Sequence, residues 1–341
     1  MKILKYLLIA LLLLVGAGAL YIASSGPELP AHTAQTLDNV FAQPLPDIVK
    51  GDTATISAGG VDIWYEHLTP PDTSKGVALL IMGISNDALG WPNSFVDLLL
   101  DAGYEVVRYD HRGTGLSDWM PNWNSSNPYG LTDMAGDAVA ILDAINTDKA
   151  HIVGVSMGGM IAQEFAILYP ERVETLTSIM SSAHITDPNL PPISGSVAFA
   201  LIRVALKYGV IGGEKNTIKM HLASRAILMG DADYPLNIQE MSEQTLYNIR
   251  ERRGYNSKVS PQHQAAVMQS DARYEALGKL SMPALVIHGQ NDPFIPMAHG
   301  QRTASALPNA DTMWIANMGH DIPAVHAPTI VNKLVSHFES N

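Results

Sequence analysis

The sequence predicts an α/β domain with a mostly parallel central sheet that is flanked by helices and carries an inserted helical cap. Short apolar runs alternate with stretches of helical periodicity, and the run 77–82 (VALLIM) is apolar throughout, as expected of a strand covered on both faces. Such alternation indicates a parallel sheet with helices on both sides. Between 183 and 276 the alternation gives way to successive helical stretches, which indicates the cap.

The predicted core has two parts, 51–182 and 277–341, and the cap at 183–276 separates them. Strands are predicted at 53–57, 61–67, 77–82, 104–109, 152–155, 173–180, 284–288 and 311–315. Core helices are predicted at 92–101, 132–145, 160–168, 295–307 and 329–338, and cap helices at 197–208, 217–229, 236–252 and 261–276.

Composition narrows the class of protein. The chain has 341 residues, of which 47% are hydrophobic and 16% are charged, as in a globular protein with a substantial core. Its net charge of −12 argues against a nucleic-acid partner, which requires a basic surface. The absence of cysteine excludes disulfides, cysteine metal sites and a thiol nucleophile.

The first 26 residues form a separate segment. Lys2 and Lys5 precede 6–23, an uncharged and almost wholly apolar run of 18 residues. Together with the apolar residues 3–4 it reaches the length of about 20 residues that crosses a bilayer. We expect an uncleaved membrane anchor or, as the alternative, a signal peptide cleaved near 17–19 (AGA). Both interpretations place the rest of the chain outside the cytoplasm.

The segment 27–50 contains four prolines and is predicted to be a linker, either extended or packed as a leader.

A nucleophile motif lies at the centre of the chain. Residues 154–158 read G-V-S-M-G, with a β-branched run before them and a good helix former after them. In this strand–turn–helix context G-x-S-x-G is typical of a nucleophile elbow, in which a strained turn exposes the serine above the sheet. We therefore predict that Ser156 is a nucleophile. A merely structural glycine-rich turn is the alternative.

Two further residues follow predicted strands in the order that a serine nucleophile requires. Asp292 follows the strand 284–288, and His320 follows the strand 311–315, 28 positions further on. Both side chains should therefore meet Ser156 at the carboxyl edge of the sheet. His320 is predicted as the general base and Asp292 as the acid that orients it. The alternatives are a solvated turn aspartate and a surface histidine.

Acyl transfer also requires donors for the developing oxyanion. The backbone N–H of Met157, directly after the nucleophile, is one candidate. The second is expected in the loop after the strand 77–82, from the N–H of Ile84 or, failing that, of Ser85. Backbone donors explain how an apolar residue can hold a catalytic position.

The three residues, their order and their spacing resemble the α/β-hydrolase fold over roughly 53–338. More narrowly, the segments 82–83 (MG), 88–92 (ALGWP), 108–115 (RYDHRGTG) and 127–130 (NPYG) are similar to aclacinomycin methylesterase and its relatives. The resemblance implies a serine esterase that hydrolyses carboxylic esters without a metal or organic cofactor. It also implies that residues 110–112 form a structural turn. His288 is expected to pack beside the site.

Two alternatives to ester hydrolysis remain open. A cofactor-free haloperoxidase or perhydrolase uses the same three residues, with peroxide in place of water. A non-catalytic binding module on this fold usually lacks a member of the set, and none is missing here. No H-E-x-x-H pattern indicates a metal site, and the glycines at 154–159 are spaced wrongly for dinucleotide binding. The partner expected from the sequence is a small-molecule ester, with membrane contact through the N-terminal segment.

Overall fold

The computed structural model describes residues 26–340 and six isolated positions before them, 5, 6, 16, 18, 21 and 24. The predicted anchor or signal segment therefore lies largely outside the described residues. In the described part of the chain, no helix is both long enough and apolar enough to span a membrane.

Residues 26–340 contain one eight-stranded sheet. The strands, in chain order, are β1 (Asp52–Ala58), β2 (Val61–Leu68), β3 (Val77–Ile81), β4 (Glu105–Tyr109), β5 (Ala150–Val155), β6 (Val173–Ile179), β7 (Ala284–Gly289) and β8 (Ala310–Ile315). Their spatial order is β1-β2-β4-β3-β5-β6-β7-β8. The strand β2 is antiparallel to both of its neighbours, β1 and β4, and all other neighbouring strands are parallel. The predicted mostly parallel sheet is confirmed.

Helices cover both faces of this sheet and form the cap. They are α1 (Thr33–Ala42), α2 (Asn93–Asp101), α3 (Leu131–Ala144), α4 (Met157–Leu168), α5 (Gly195–Gly209), α6 (Glu214–Met229), α7 (Ile238–Glu251), α8 (Val259–Met268), α9 (Tyr274–Leu277), α10 (Met297–Ala306) and α11 (Ala327–Glu339). The insertion between β6 and β7 contains α5 to α9, where the sequence predicts the cap.

The central strands are buried on both faces, as their continuous apolar runs predict. In β3, Leu79 and Ile81 join a core that includes residues of α3 and α4, whereas Ala78 and Leu80 join a second core with α2 and α11. All four side chains are fully buried. The sheet is therefore a rigid middle layer, and the ends of its strands are fixed in position.

The segment 27–50, predicted as a linker, contains α1. Leu37 and Val40 of this helix are buried together with Ile218 of α6 and Leu246 of α7. The two α1 residues are three positions apart and so lie on one helix face. The segment is thus packed on the cap and is not an extended tether.

The predicted cap helix 261–276 is interrupted in the structure, where α8 and α9 are separated by a non-helical turn. The cause is Arg273, which is 3% exposed and is anchored in the core. Its Nε donates to Oε1 of Gln163 at 3.0 Å, and its Nη2 donates to the Ser182 carbonyl at 2.9 Å. These contacts turn the chain towards the sheet before the next helical turn begins.

A buried ion pair links the antiparallel strand to the parallel part of the sheet. Glu66 of β2 and Arg108 of β4 are cross-strand partners, and Nε of Arg108 lies 2.6 Å from Oε2 of Glu66. The other carboxylate oxygen accepts hydrogen bonds from the N–H groups of Lys50 and Gly51 at 2.7 and 2.8 Å. The pair therefore also fixes the end of the segment that precedes β1.

We predict that Glu66→Ala lowers the free energy of unfolding by about 3–5 kcal/mol, because it leaves a buried guanidinium without its counter-charge. Urea unfolding measures the change. The control is Glu275→Ala, since the side chains of Glu275 and its partner Lys279 are 88% and 71% exposed. An exposed pair contributes at most about 1 kcal/mol. Equal, small losses in both variants would contradict the prediction.

Candidate active site

Ser156 occupies the turn between β5 and α4, with φ 56° and ψ −121°. A residue other than glycine rarely adopts this conformation, which costs about 1–3 kcal/mol. Two hydrogen bonds hold the turn: the Ser156 N–H donates to the carbonyl of Ile179 at 2.9 Å, and Oγ of Ser181 donates to the Ser156 carbonyl at 2.7 Å. Ser156 therefore stands at the carboxyl end of the central strand on a turn that its neighbours fix.

The glycines around Ser156 are required by close backbone approach. A Cβ atom on Gly154 would collide with the carbonyl of Gly158, and one on Gly158 would collide with the carbonyl of Ile81 at the end of β3. Neither glycine has a positive φ, so space and not backbone conformation selects them. The pattern G-x-S-x-G thus lets α4 begin in contact with two strands.

His320 lies in the loop after β8 and reaches Ser156 directly. Its Nε2 is 2.9 Å from Oγ of Ser156, and its Nδ1 is 2.7 Å from Oδ2 of Asp292. The backbone N–H of His320 donates to the carbonyl of Leu228 in α6 at 2.8 Å. The structure therefore brings the three predicted residues together, and the cap helps to hold the histidine.

Asp292 lies in the loop after β7, and its side chain is fully buried. Its Oδ1 accepts hydrogen bonds from the N–H groups of Phe294 and Ile295 at 2.9 and 2.8 Å. Burial alone would raise the pKa of this carboxyl, but the charge of His320 and the hydrogen bond from His288 outweigh burial and lower the pKa. Asp292 is therefore ionised at neutral pH. It accepts the Nδ1 proton of His320, which leaves Nε2 as the acceptor for the serine hydroxyl.

His288, predicted to pack beside the site, lies at the end of β7. Its Nε2 is 2.9 Å from the carbonyl of Ile295 and 3.3 Å from Oδ2 of Asp292. Its side chain is fully buried, and a Cβ atom on Gly300 would come within 2.5 Å of its Nδ1. The imidazole thus fills the space behind Asp292 and restricts the position of the carboxylate.

The loop after β3 runs against Ser156. A Cβ atom on Gly83 would lie 3.3 Å from Cβ of Ser156. Within the described residues, the N–H groups of Ile84 and Met157 donate no hydrogen bond, whereas the N–H of Ser85 donates to Nδ1 of His263 at 3.0 Å. Of the two candidate donors in this loop, the N–H of Ile84 is therefore the one that remains available for a ligand.

His263 of α8 joins the cap to this loop. It is fully buried, which lowers its pKa to about 3, with the neighbouring His111 acting in the same direction. The ring is neutral, so its Nε2–H donates to the carbonyl of Arg112 at 2.9 Å while its Nδ1 accepts from Ser85. One tautomer satisfies both contacts and fixes Ser85, whose φ is 63°.

A second histidine fixes the start of the same loop. His111 follows β4, and its Nε2 donates to the carbonyl of Met82 at 2.8 Å. Burial lowers the pKa of His111 to about 4, so this ring too is neutral at pH 7. The turn at 110–112 therefore lies beside the site, but His111 does not contact Ser156.

Neither His263 nor the contact at Leu228 could be identified from the sequence. Both lie in the cap, and His263 is 107 positions beyond Ser156, with no fixed spacing to any motif. Only the packing of α8 on the core reveals its role. No group of three or more histidine, aspartate or glutamate side chains within residues 26–340 is arranged to hold a metal ion.

Comparison with known proteins gives three consistent matches. Residues 79–327 match the family described as the alpha/beta hydrolase fold. The chain is 31% identical to a rhodomycin D methylesterase from Streptomyces sp. (strain C5), over 81% of this chain and 95% of that protein. It is 28% identical to a 2-hydroxy-6-oxononadienedioate/2-hydroxy-6-oxononatrienedioate hydrolase from Burkholderia vietnamiensis, over 80% of this chain and 90% of that protein.

Solved structures share the fold. An esterase from Exiguobacterium antarcticum superposes with a TM-score of 0.66 at 18% identity and covers 85% of this chain and 100% of its own. The match to a methylesterase confirms the narrower resemblance predicted from the sequence motifs. The family match, the methylesterase relative and the mostly parallel sheet show that this chain is a hydrolase and belongs to the α/β-hydrolase fold family.

Proposed function

We propose that this hydrolase is a serine carboxylesterase that acts on apolar esters of small or medium size through an acyl-enzyme. The observation that carries the proposal is the hydrogen-bonded series Ser156–His320–Asp292, with links of 2.9 and 2.7 Å. A methylesterase that is 31% identical over 95% of its own length supports the ester as the bond that is cleaved.

In the proposed reaction, Oγ of Ser156 attacks the ester carbonyl while Nε2 of His320 takes up its proton. His320 then protonates the leaving alcohol, and the acyl group stays on the serine. A water molecule then attacks the acyl carbonyl and loses a proton to Nε2 of His320. The bond between the acyl group and Oγ of Ser156 breaks, His320 returns the proton to that Oγ, and the acid is released. The ionised Asp292 holds His320 in the required tautomer and stabilises its charged form during both steps.

The N–H groups of Ile84 and Met157 are proposed to bind the oxyanion. Met157 is the first residue of α4, where an N–H group has no partner within the helix. Ile84 follows Gly83, which lies directly against Ser156. Loss of one such donor typically costs about 10²–10³ in rate, so the position of the loop after β3 matters for turnover.

We also propose that the protein is exported and held at a membrane by its first 26 residues. The support comes from the sequence: two lysines precede an uncharged apolar run that is long enough to cross a bilayer. In this arrangement the esterase body lies outside the cytoplasm.

Ser156→Ala is expected to lower kcat by about 10⁶-fold, because the attacking hydroxyl is lost. The assay compares the full chain and the variant in detergent on p-nitrophenyl esters from acetate to dodecanoate. Serine-dependent hydrolysis supports the proposal, and the preferred chain length measures the acyl pocket. Unchanged activity in the folded variant would exclude Ser156 as the nucleophile.

Asp292→Asn is expected to lower kcat by about 10⁴-fold with little change in KM, because an amide favours the wrong tautomer of the histidine. Steady-state kinetics on the preferred p-nitrophenyl ester provide the measurement. Asp311→Asn serves as the control, since this exposed aspartate lies at the start of β8, at the end of the strand opposite to His320, and contacts Lys333. A fall of similar size in both variants would speak against the assigned role.

His263→Ala is expected to lower kcat by up to about 10²-fold, because the loop that carries Ile84 loses its hydrogen bond to the cap. His263→Gln should recover much of the rate, since a glutamine can accept from Ser85 and donate to Arg112. Thermal unfolding of both variants separates stability from catalysis. A folded His263→Ala protein with the kcat of the unchanged chain would show that this residue does not position the loop.

A further inference from the structure

The cap helix α5 exposes an apolar face. Phe199, Ile202 and Leu206 are 55%, 57% and 45% exposed, and Val210 and Ile211 directly after the helix are 79% and 77% exposed. Their spacing of three and four positions places the three helical residues on one side of α5. Five of the eight large apolar side chains that are exposed within residues 26–340 lie in this stretch. An apolar cluster of this kind marks a contact surface.

The charges around this face are positive in an otherwise acidic protein. The chain has a net charge of −12, yet no aspartate or glutamate occurs between Asp187 and Glu214. The charged residues of α5 are Arg203 and Lys207, which lie over aromatic rings of Phe199 and Tyr208 at 5.4 and 5.5 Å. Basic residues beside an apolar helix face are typical of helices that lie on anionic lipid surfaces.

The N-terminal segment meets the body of the protein at this helix. The hydroxyl of Tyr21, within the predicted membrane segment, accepts a hydrogen bond from Nη1 of Arg203 at 3.0 Å. Five positions later, a Cβ atom on Gly26 would lie 3.9 Å from Cγ2 of Val204. Tyr21 and Gly26 therefore both lie against α5.

The same helix begins beside the active site. The N–H of Ser194, which precedes α5, donates to the carbonyl of Phe294 at 3.0 Å, and the Ser194 hydroxyl accepts from the Val197 N–H. The ring of Phe294 lies 5.3 Å from that of His320. The first turn of α5 is therefore joined to the loop that carries Asp292.

We propose that the exposed face of α5 and the residues 210–211 form a second membrane contact, which rests on the membrane anchor proposed above and lies on the lipid surface next to the N-terminal segment. The partner is the bilayer itself, with its apolar boundary in contact with Phe199, Ile202 and Leu206 and its anionic headgroups near Arg203 and Lys207. The contact holds the body in a fixed orientation relative to the bilayer.

The absence of cysteine allows a direct test on the full chain. Leu206→Cys carries an environment-sensitive NBD label, and the protein is reconstituted in vesicles of phosphatidylcholine and phosphatidylglycerol. The control is Leu168→Cys, because both leucines are 45% exposed. Leu168 is the last residue of α4, and this helix begins directly after Ser156. Leu168 therefore lies about 18 Å from Ser156 along the helix, towards the edge of the sheet opposite to the active site.

Vesicles that contain doxyl-labelled phosphatidylcholine should quench the label at position 206 several-fold and leave the label at position 168 nearly unchanged. Protein that floats with the vesicles but whose label at 206 is unquenched overturns this proposal alone, whereas protein that does not float with the vesicles contradicts the N-terminal anchor as well. A label at 206 that is blue-shifted but not quenched by the lipid shows that protein, either the N-terminal segment or a second copy, covers the face, and this also overturns it. Equal quenching at both positions shows no oriented contact and has the same consequence. Hydrolysis of p-nitrophenyl butyrate by both labelled variants verifies that they are folded.

Discussion

The strained backbone of Ser156 is the constraint on which the rest of the site depends. A residue with φ 56° and ψ −121° persists only where the surrounding structure holds it. Here β3 and β6 flank β5, the carbonyl of Ile179 binds the Ser156 N–H, and Gly158 lies against the carbonyl of Ile81. The strain is therefore supported by the most deeply buried part of the sheet, and the serine cannot relax without moving strands that are packed on both faces.

The sheet order determines where the other two residues of the site arise. The strands β7 and β8 follow β6, so Asp292 and His320 come from neighbouring loops on one side of Ser156. The loop after β3 borders it on the other side. The carboxylate and the imidazole therefore lie on one side of Ser156, and the loop that carries the N–H of Ile84 lies on the other. The geometry thus follows from strand order combined with the single serine turn.

The sequence alone could predict these elements because each depends on local signals. The strands are continuous apolar runs, and Ser156, Asp292 and His320 each follow their own strand. In contrast, α1 in the proline-containing segment 27–50 and the interruption at Arg273 depend on contacts with distant parts of the chain. The same holds for His263, whose neutral tautomer and contact with Ser85 arise only when α8 packs on the core. Periodicity carries no information about such contacts.

The cap supports the site in three places that are distant in sequence. The carbonyl of Leu228 binds the backbone of His320, the N–H of Ser194 binds the carbonyl of Phe294, and His263 binds the N–H of Ser85. His320, the loop that carries Asp292 and the loop that carries Ile84 are therefore each joined to the cap by a hydrogen bond. Since α5 also bears the exposed apolar face, one insertion both contacts the loops around Ser156 and carries that face. The cap is consequently a structural support of the site and not only a cover over the sheet.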